Sequence, residues 1–158
     1  MIIAPSPIGV RSLPSGRLYT LRQTNMGEYH KDYDDWMIVK QRINDEERPS
    51  FAKAGDVRWA SVGVNVGSEI DGKGKGSHTR PVLVLELVGK HLALVVPFST
   101  KLHERPGYVR FDVDSKPMAL CVHQVRVVSQ KRLLKRIAHL ADTRLKEAKV
   151  EVKKFWCL

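Results

Sequence analysis

The chain has little cysteine and no long apolar run. Only Cys121 and Cys157 occur in 158 residues, at unrelated positions, which suits a reducing cytoplasm better than a disulfide framework. No apolar stretch approaches the roughly 18 to 20 residues that cross a bilayer, so the sequence reads as soluble, with no membrane partner. The opening MIIAPSPIGVRSLPSGR has neither a basic leader nor an uninterrupted apolar core, which argues against a secretory signal. The six histidines, at 30, 78, 91, 103, 123 and 139, show no HxH or HExxH spacing, and there is no CxxC. No metal and no other cofactor is therefore expected.

What is present is a basic chain of one-domain size. At 17.9 kDa and 42% hydrophobic residues it can bury one ordinary core and leave a tail. The net charge of +10 is uneven, because residues 129–158 alone carry nine basic and three acidic side chains. Such a field attracts nucleic acid or an acidic protein segment, and it equally describes a solvated helix face.

Residues 1–30 hold three of the eight prolines and no sustained period, and we expect them to be poorly ordered, with Met26 as an alternative translation start. Residues 31–48 read as an amphipathic helix. Tyr33, Trp36, Met37, Lys40 and Ile43 share one face, Asp32, Asp34 and Asp35 sit at the positive end of the helix dipole, and Pro49 closes it. A third domain segment, 55–158, follows. It holds five valine-rich stretches, DVRWASVG, RPVLVLELV, HLALVVPF, GYVRFDV and ALCVHQVRVV, separated by glycine, proline and charge. Val109, Phe111 and Val113 alternate with Arg110 and Asp112, the mark of a half-buried antiparallel strand. The second and third stretches are apolar nearly throughout and should be central. Five short strands without intervening helices predict a strongly bent sheet or partly open barrel. The tail then reads as helical: a short turn QKRLL capped by Ser129, and a longer helix from Asp142 with the stripe Ala141, Leu145, Ala148, Val152 and Phe155 covering the sheet.

The loop DGKGKGSHTRP, residues 71–81, is glycine-rich but is no phosphate cradle. No Gly-Lys-Ser/Thr closes it, and a strand follows it instead of a helix. Its glycines predict a mobile cover. The strand that follows opens with Arg80 and Pro81, and the next strand ends in Ser99 and Thr100. Antiparallel pairing across the GKH turn would make Arg80 and Ser99 neighbours. An arginine beside a hydroxyl suits a phosphodiester, because the guanidinium holds two phosphate oxygens and stabilises a five-coordinate transition state. A surface arginine next to a strand-end serine is the alternative.

The ordered pieces GDVRWASVGVNVGSE, the glycine loop, RPVLVLEL, VVPFST and HQVRVVSQKRLLKR resemble the MazF/PemK (Kid-like) toxins of type II toxin–antitoxin modules, over residues 55 to about 150. The resemblance implies an SH3-like small β-barrel (MazF/PemK/CcdB-like), mainly β with peripheral helices, having five or more strongly bent antiparallel strands, a C-terminal helix and an extra N-terminal helix. It implies a cytoplasmic, growth-inhibiting endoribonuclease that needs no metal and cleaves single-stranded RNA or mRNA by 2′-hydroxyl attack, leaving 2′,3′-cyclic phosphate and 5′-hydroxyl ends. It implies a homodimer whose RNA groove lies at the interface, and a cognate antitoxin whose acidic, initially disordered C-terminal tail competes for that groove.

By the same resemblance Arg80, Ser99 and Glu69 are catalytic. The Kid-like arginine and aspartate pair is absent, Cys121 and His123 standing there, and His123 is either a replacement general base or a structural or RNA-contacting residue. Arg58, Trp59, Lys73, Lys75, His78, Thr100 and Lys101 are the candidate RNA contacts, by stacking or to phosphate. Two rivals remain: a gyrase-directed toxin of the same fold acting by protein–protein contact, for which the terminal KKFWCL is a faint sign, and a nucleic-acid-binding barrel without catalysis.

Overall fold

The computed structural model describes residues 10–12, 18–20, 31–47, 51–74 and 76–158. Residues 1–31 and 32–158 form two separate compact units. In the first, β1 (Val10–Ser12) pairs antiparallel with β2 (Leu18–Thr20), Arg11 opposite Tyr19. The expected lack of order over 1–30, and Met26, otherwise fall outside the described residues.

The second unit begins with α1 (Tyr33–Asp45). Asp32 caps it, its carboxylate accepting from the Asp35 amide at 2.9 Å, and the Glu46 amide closes the last turn on the Arg42 carbonyl. The helix buries Trp36, Val39 and Ile43, a spacing of three and four. This corrects the sequence stripe, which omitted Val39. Tyr33 and Met37 are about half exposed and Lys40 is exposed. Pro49 lies outside the described residues.

Seven antiparallel strands follow: β3 (Asp56–Ser61), β4 (Thr79–Val88), β5 (Leu92–Ser99), β6 (Tyr108–Val113), β7 (Lys116–Cys121), β8 (Arg126–Ser129) and β9 (Leu133–His139). They are joined in the order β6-β7-β5-β4-β3-β9, with β8 also on β5. One edge of β5 pairs with β4. Its other edge forks, taking β8 along Leu92–Val95 and β7 at Phe98 and Ser99. Register shifts within β4/β5 and β3/β9 add local twist, so the sheet is bent as expected. No pairing joins β6 to β9 among the described residues.

The apolar runs Val82–Leu85 of β4 and Ala93–Phe98 of β5 follow from burial on both faces. Leu83, Leu85, Val96 and Phe98 point into one core with Phe111, Leu120 and Val122. Val82, Val84, Ala93 and Val95 point into a second with Ala60, Val62 and Val128. The helix α2 (Asp142–Trp156) closes the first core with Ala148 and Val152, Leu145 packing alongside; the expected stripe is shorter than read, because Ala141 is the exposed residue before the helix and Phe155 stays at the rim.

Two expectations are corrected. The segment ALCVHQVRVV is two strands, because a 3-10 turn at Val122–Gln124 moves the chain from the β7 pairing to the β8 pairing. The segment after Ser129 is not wholly helical. Ser129 does cap a turn, Gln130–Arg132, but β9 then pairs with β3. Its outward Lys135, Arg136 and Ile137 hide any alternation. The β3/β9 seam is clipped by Asp56, which is wholly buried and accepts from His139 Nδ1 at 2.9 Å, Arg58 Nη1 at 3.2 Å and the Lys53 amide at 3.1 Å.

Candidate functional site

Arg80 is the second residue of β4, opposite Ala60 of β3. Its Nε donates to the Asp71 carbonyl at 2.8 Å and its Nη1 to the Phe98 carbonyl at 3.2 Å. The guanidinium plane is thus fixed by one carbonyl from the glycine loop and one from the end of β5. The second bond brings Arg80 to the residue before Ser99, as the antiparallel reading required. Cys121, buried on β7, registers the same cation: burial pushes its thiol up to about 11, and the Arg80 charge opposes that rise.

Arg80 lines a hollow of about 350 Å³ with Trp59, Lys73, Gly74, Ser77, Thr79, Pro81, Phe98 and Thr100. Four of the residues singled out from sequence, Arg80, Trp59, Lys73 and Thr100, therefore come together. Trp59, one of the lining residues, is 42% exposed. Ser99 is buried and does not line the hollow. Its Oγ accepts from the Lys101 amide at 3.2 Å, which orients it at the strand end.

The remaining candidates lie elsewhere. Arg58 is held inside the β3/β9 seam, its Nε donating to the Leu134 carbonyl at 2.9 Å and its Nη1 to Asp56. His78 is buried under α1, its Nε2 donating to Asp35 at 2.7 Å and its ring edge against Trp36. Lys101 is exposed and Lys75 lies outside the described residues. Nor is the glycine loop a simple mobile cover: the Lys73 and Thr79 backbones pair in both directions, and the Gly76 amide donates to Asp35 at 2.8 Å.

Glu69 and His123 share a different hollow, of about 280 Å³, with Gln124, Val125, Arg126 and Trp156. The Nδ1–H of His123 donates to the Gly107 carbonyl at 2.8 Å, which makes Nε2 the proton-accepting nitrogen of the neutral ring. The ring also packs on Tyr108. Consecutive residues of one loop tie the two hollows together. The Ile70 amide donates to Gln124 Oε1, and the next carbonyl, of Asp71, accepts from Arg80. Gln124 and Arg126 were not singled out from sequence, although both stand in the HQVR motif.

A third hollow, about 330 Å³, lies between α1 and the 129–132 turn. Of its cations, Lys131 donates to the Asn44 carbonyl and Arg132 lies over the Trp36 ring, while Lys40 is exposed.

The sequence profile described as "PemK-like, MazF-like toxin of type II toxin-antitoxin system" matches residues 53–156. No curated protein sequence matches the chain. Among solved structures it is similar to MazF from Deinococcus radiodurans, with TM-score 0.54 and 17% identity over 68% of this chain and 97% of that one. It is also matched to the MazE-MazF assembly of that organism (TM-score 0.49, 17% identity, 68% and 96% of the two chains) and to Mycobacterium tuberculosis toxin MazF-mt6 (TM-score 0.47, 14% identity, 65% and 97%). The first of these shares the fold.

Proposed function

The chain belongs to the family of PemK-like, MazF-like toxins of type II toxin–antitoxin systems, and from that premise we propose that it is an endoribonuclease whose centre is Arg80. The observation that carries the reading is the Arg80 guanidinium, clamped by two backbone carbonyls on the wall of a hollow that also presents Trp59, Lys73 and Thr100. An aromatic ring for a base, a lysine for the backbone and an oriented arginine for the reacting phosphate form a single-stranded RNA site.

In this reading the 2′-hydroxyl oxygen of the bound RNA attacks its own 3′-phosphorus. The bond to the 5′-oxygen of the next nucleotide breaks, leaving a 2′,3′-cyclic phosphate and a 5′-hydroxyl. No water is consumed. The phosphorane gains negative charge on the way, and the fixed guanidinium stabilises it more than it stabilises the ground state. Thr100, which lines the hollow, offers its hydroxyl to a phosphate oxygen, and Ser99, whose Oγ accepts from the Lys101 amide, orders the strand end behind it. One proton must leave the 2′-oxygen and one must reach the 5′-oxygen. The reacting phosphate is placed between the two hollows, at residues 70 and 71, where His123, with Nε2 as acceptor of the neutral ring, takes the proton of the 2′-oxygen, solvent protonates the leaving 5′-oxygen, and Glu69 lines the His123 hollow. The RNA would run from the Arg80 hollow across residues 70 and 71 to the His123 hollow, in a cytoplasmic homodimer. The net charge of +10 supports an antitoxin with an acidic tail as the competing partner.

The test is to incubate the purified protein with a long single-stranded RNA in excess chelator and to map the new ends. Cyclic phosphate and 5′-hydroxyl ends are expected. Intact RNA, or ends carrying a 5′-phosphate, would reject the reading.

A further inference from the structure

Asp35 lies on α1, outside the matched residues 53–156, yet it reaches the segment that delivers Arg80. One carboxylate oxygen, Oδ2, accepts from both the Gly76 amide at 2.8 Å and His78 Nε2 at 2.7 Å. His78 has φ +45°, in the left-handed region, where a residue other than glycine persists only if its surroundings hold it. Those surroundings are specific. Asp35 holds the ring, the Trp36 indole meets its edge, and the His78 carbonyl accepts from the Val62 and Gly63 amides at 3.1 and 3.2 Å. Two residues further on, Arg80 enters the β3 pairing and turns toward Asp71 and Phe98.

We propose that Asp35 is a positioning residue for Arg80, in that it locks His78 in its left-handed turn and so sets where β4 begins and where the guanidinium points. The proposal rests on the ribonuclease reading for its catalytic consequence and not for its structural one. The bridge spans 43 residues and joins the extra helix to the toxin fold, so α1 tunes the site from outside it. Because Arg80 is assigned to the transition state, displacing it lowers kcat and leaves KM nearly unchanged, whereas loss of an RNA contact would raise KM.

The experiment compares the full-length wild type with Asp35→Ala and the milder Asp35→Asn. Loss of hydrogen bonds to a charged group predicts a fall in kcat of about 10- to 100-fold for Asp35→Ala, with KM within about twofold. Amide hydrogen exchange should quicken at Gly76 and His78 while β5 and β7 keep their protection. Glycine adopts positive φ without strain, so adding His78→Gly to Asp35→Ala should restore part of kcat. Unchanged kcat with only a lower melting temperature would overturn the proposal, as would a rise in KM alone. If the wild type leaves RNA intact, the ribonuclease reading fails and exchange alone decides: unaltered exchange at 76 and 78 in Asp35→Ala overturns the lock as well.

Discussion

Replacing Gly63 by alanine tests how α1 is held. Gly63 has φ +88°, and a Cβ there would lie 2.3 Å from Trp36 Cε2 and 2.4 Å from Cζ2. The left-handed conformation alone costs a non-glycine residue about 1–2 kcal/mol. Carbon atoms in contact sit about 3.5–4.0 Å apart, so the indole must retreat by more than ~1 Å. Trp36 anchors a small satellite core with Val39, Ile43 and Val64, and losing such a side chain outright costs about 3–5 kcal/mol. The expected penalty on α1 docking therefore lies between about 1 and 7 kcal/mol, the lower end if the indole yields easily and the upper if its contact is lost outright. An undocked helix of 13 residues is too short to persist alone. Hydrogen exchange should show the α1 amides losing protection by that amount while β4 and β5 are unchanged. The penalties of Gly63→Ala and Trp36→Ala should also be markedly sub-additive, since both remove one contact. An α1 as protected as in the wild type would refute the packing argument.

Three further outcomes follow from single side chains. Burial works against the Asp56 charge, but the His139 imidazole, the Lys53 amide and Arg58 outweigh it and hold the carboxyl below its ordinary 3.8. The stability it confers is whole above that value and is lost as the pH falls through the lower folded value. Asp56→Asn should cost about 3 kcal/mol at neutral pH and flatten the acid limb of the stability curve, and parallel curves in urea melts from pH 7 to 2 would contradict this. The Cys121 thiol, pushed up to about 11 and buried, should resist alkylation at pH 8 while exposed Cys157 reacts, as mass spectrometry can count. Trp59→Ala should leave stability within about 0.5 kcal/mol yet weaken single-stranded RNA binding by about 1–3 kcal/mol, measured by anisotropy at fixed salt; an unchanged affinity would remove Trp59 from the site.

The sequence made the centre of the fold legible where periodicity and burial agree. Val82–Leu85 and Ala93–Phe98 are apolar on both faces because each face meets its own core, and Leu145, Ala148 and Val152 of α2 recur at helical spacing because one sheet lies beneath them. β9 was not legible: it is an edge strand whose outward residues include Lys135, Arg136 and Ile137, so composition resembles that of the helix after it. The break at Val122–Gln124 was hidden because a turn between two strands on the same neighbour needs no glycine or proline. At the site, the approach of Arg80 to the end of β5 followed from pairing two adjacent strands. The commitments of Arg58 to Asp56 and of His78 to Asp35 did not, since a basic side chain near a groove reads alike whether it faces solvent or a buried carboxylate.

If the fixed guanidinium of Arg80 stabilises the transition state of RNA cleavage, single-turnover cleavage by Arg80→Lys will show its loss. Lysine keeps the charge but not the planar fork that Asp71 and Phe98 clamp. Arg80→Lys should cleave more slowly by about 10²–10³ with RNA affinity within a few-fold. Cleavage near the wild-type rate would contradict it.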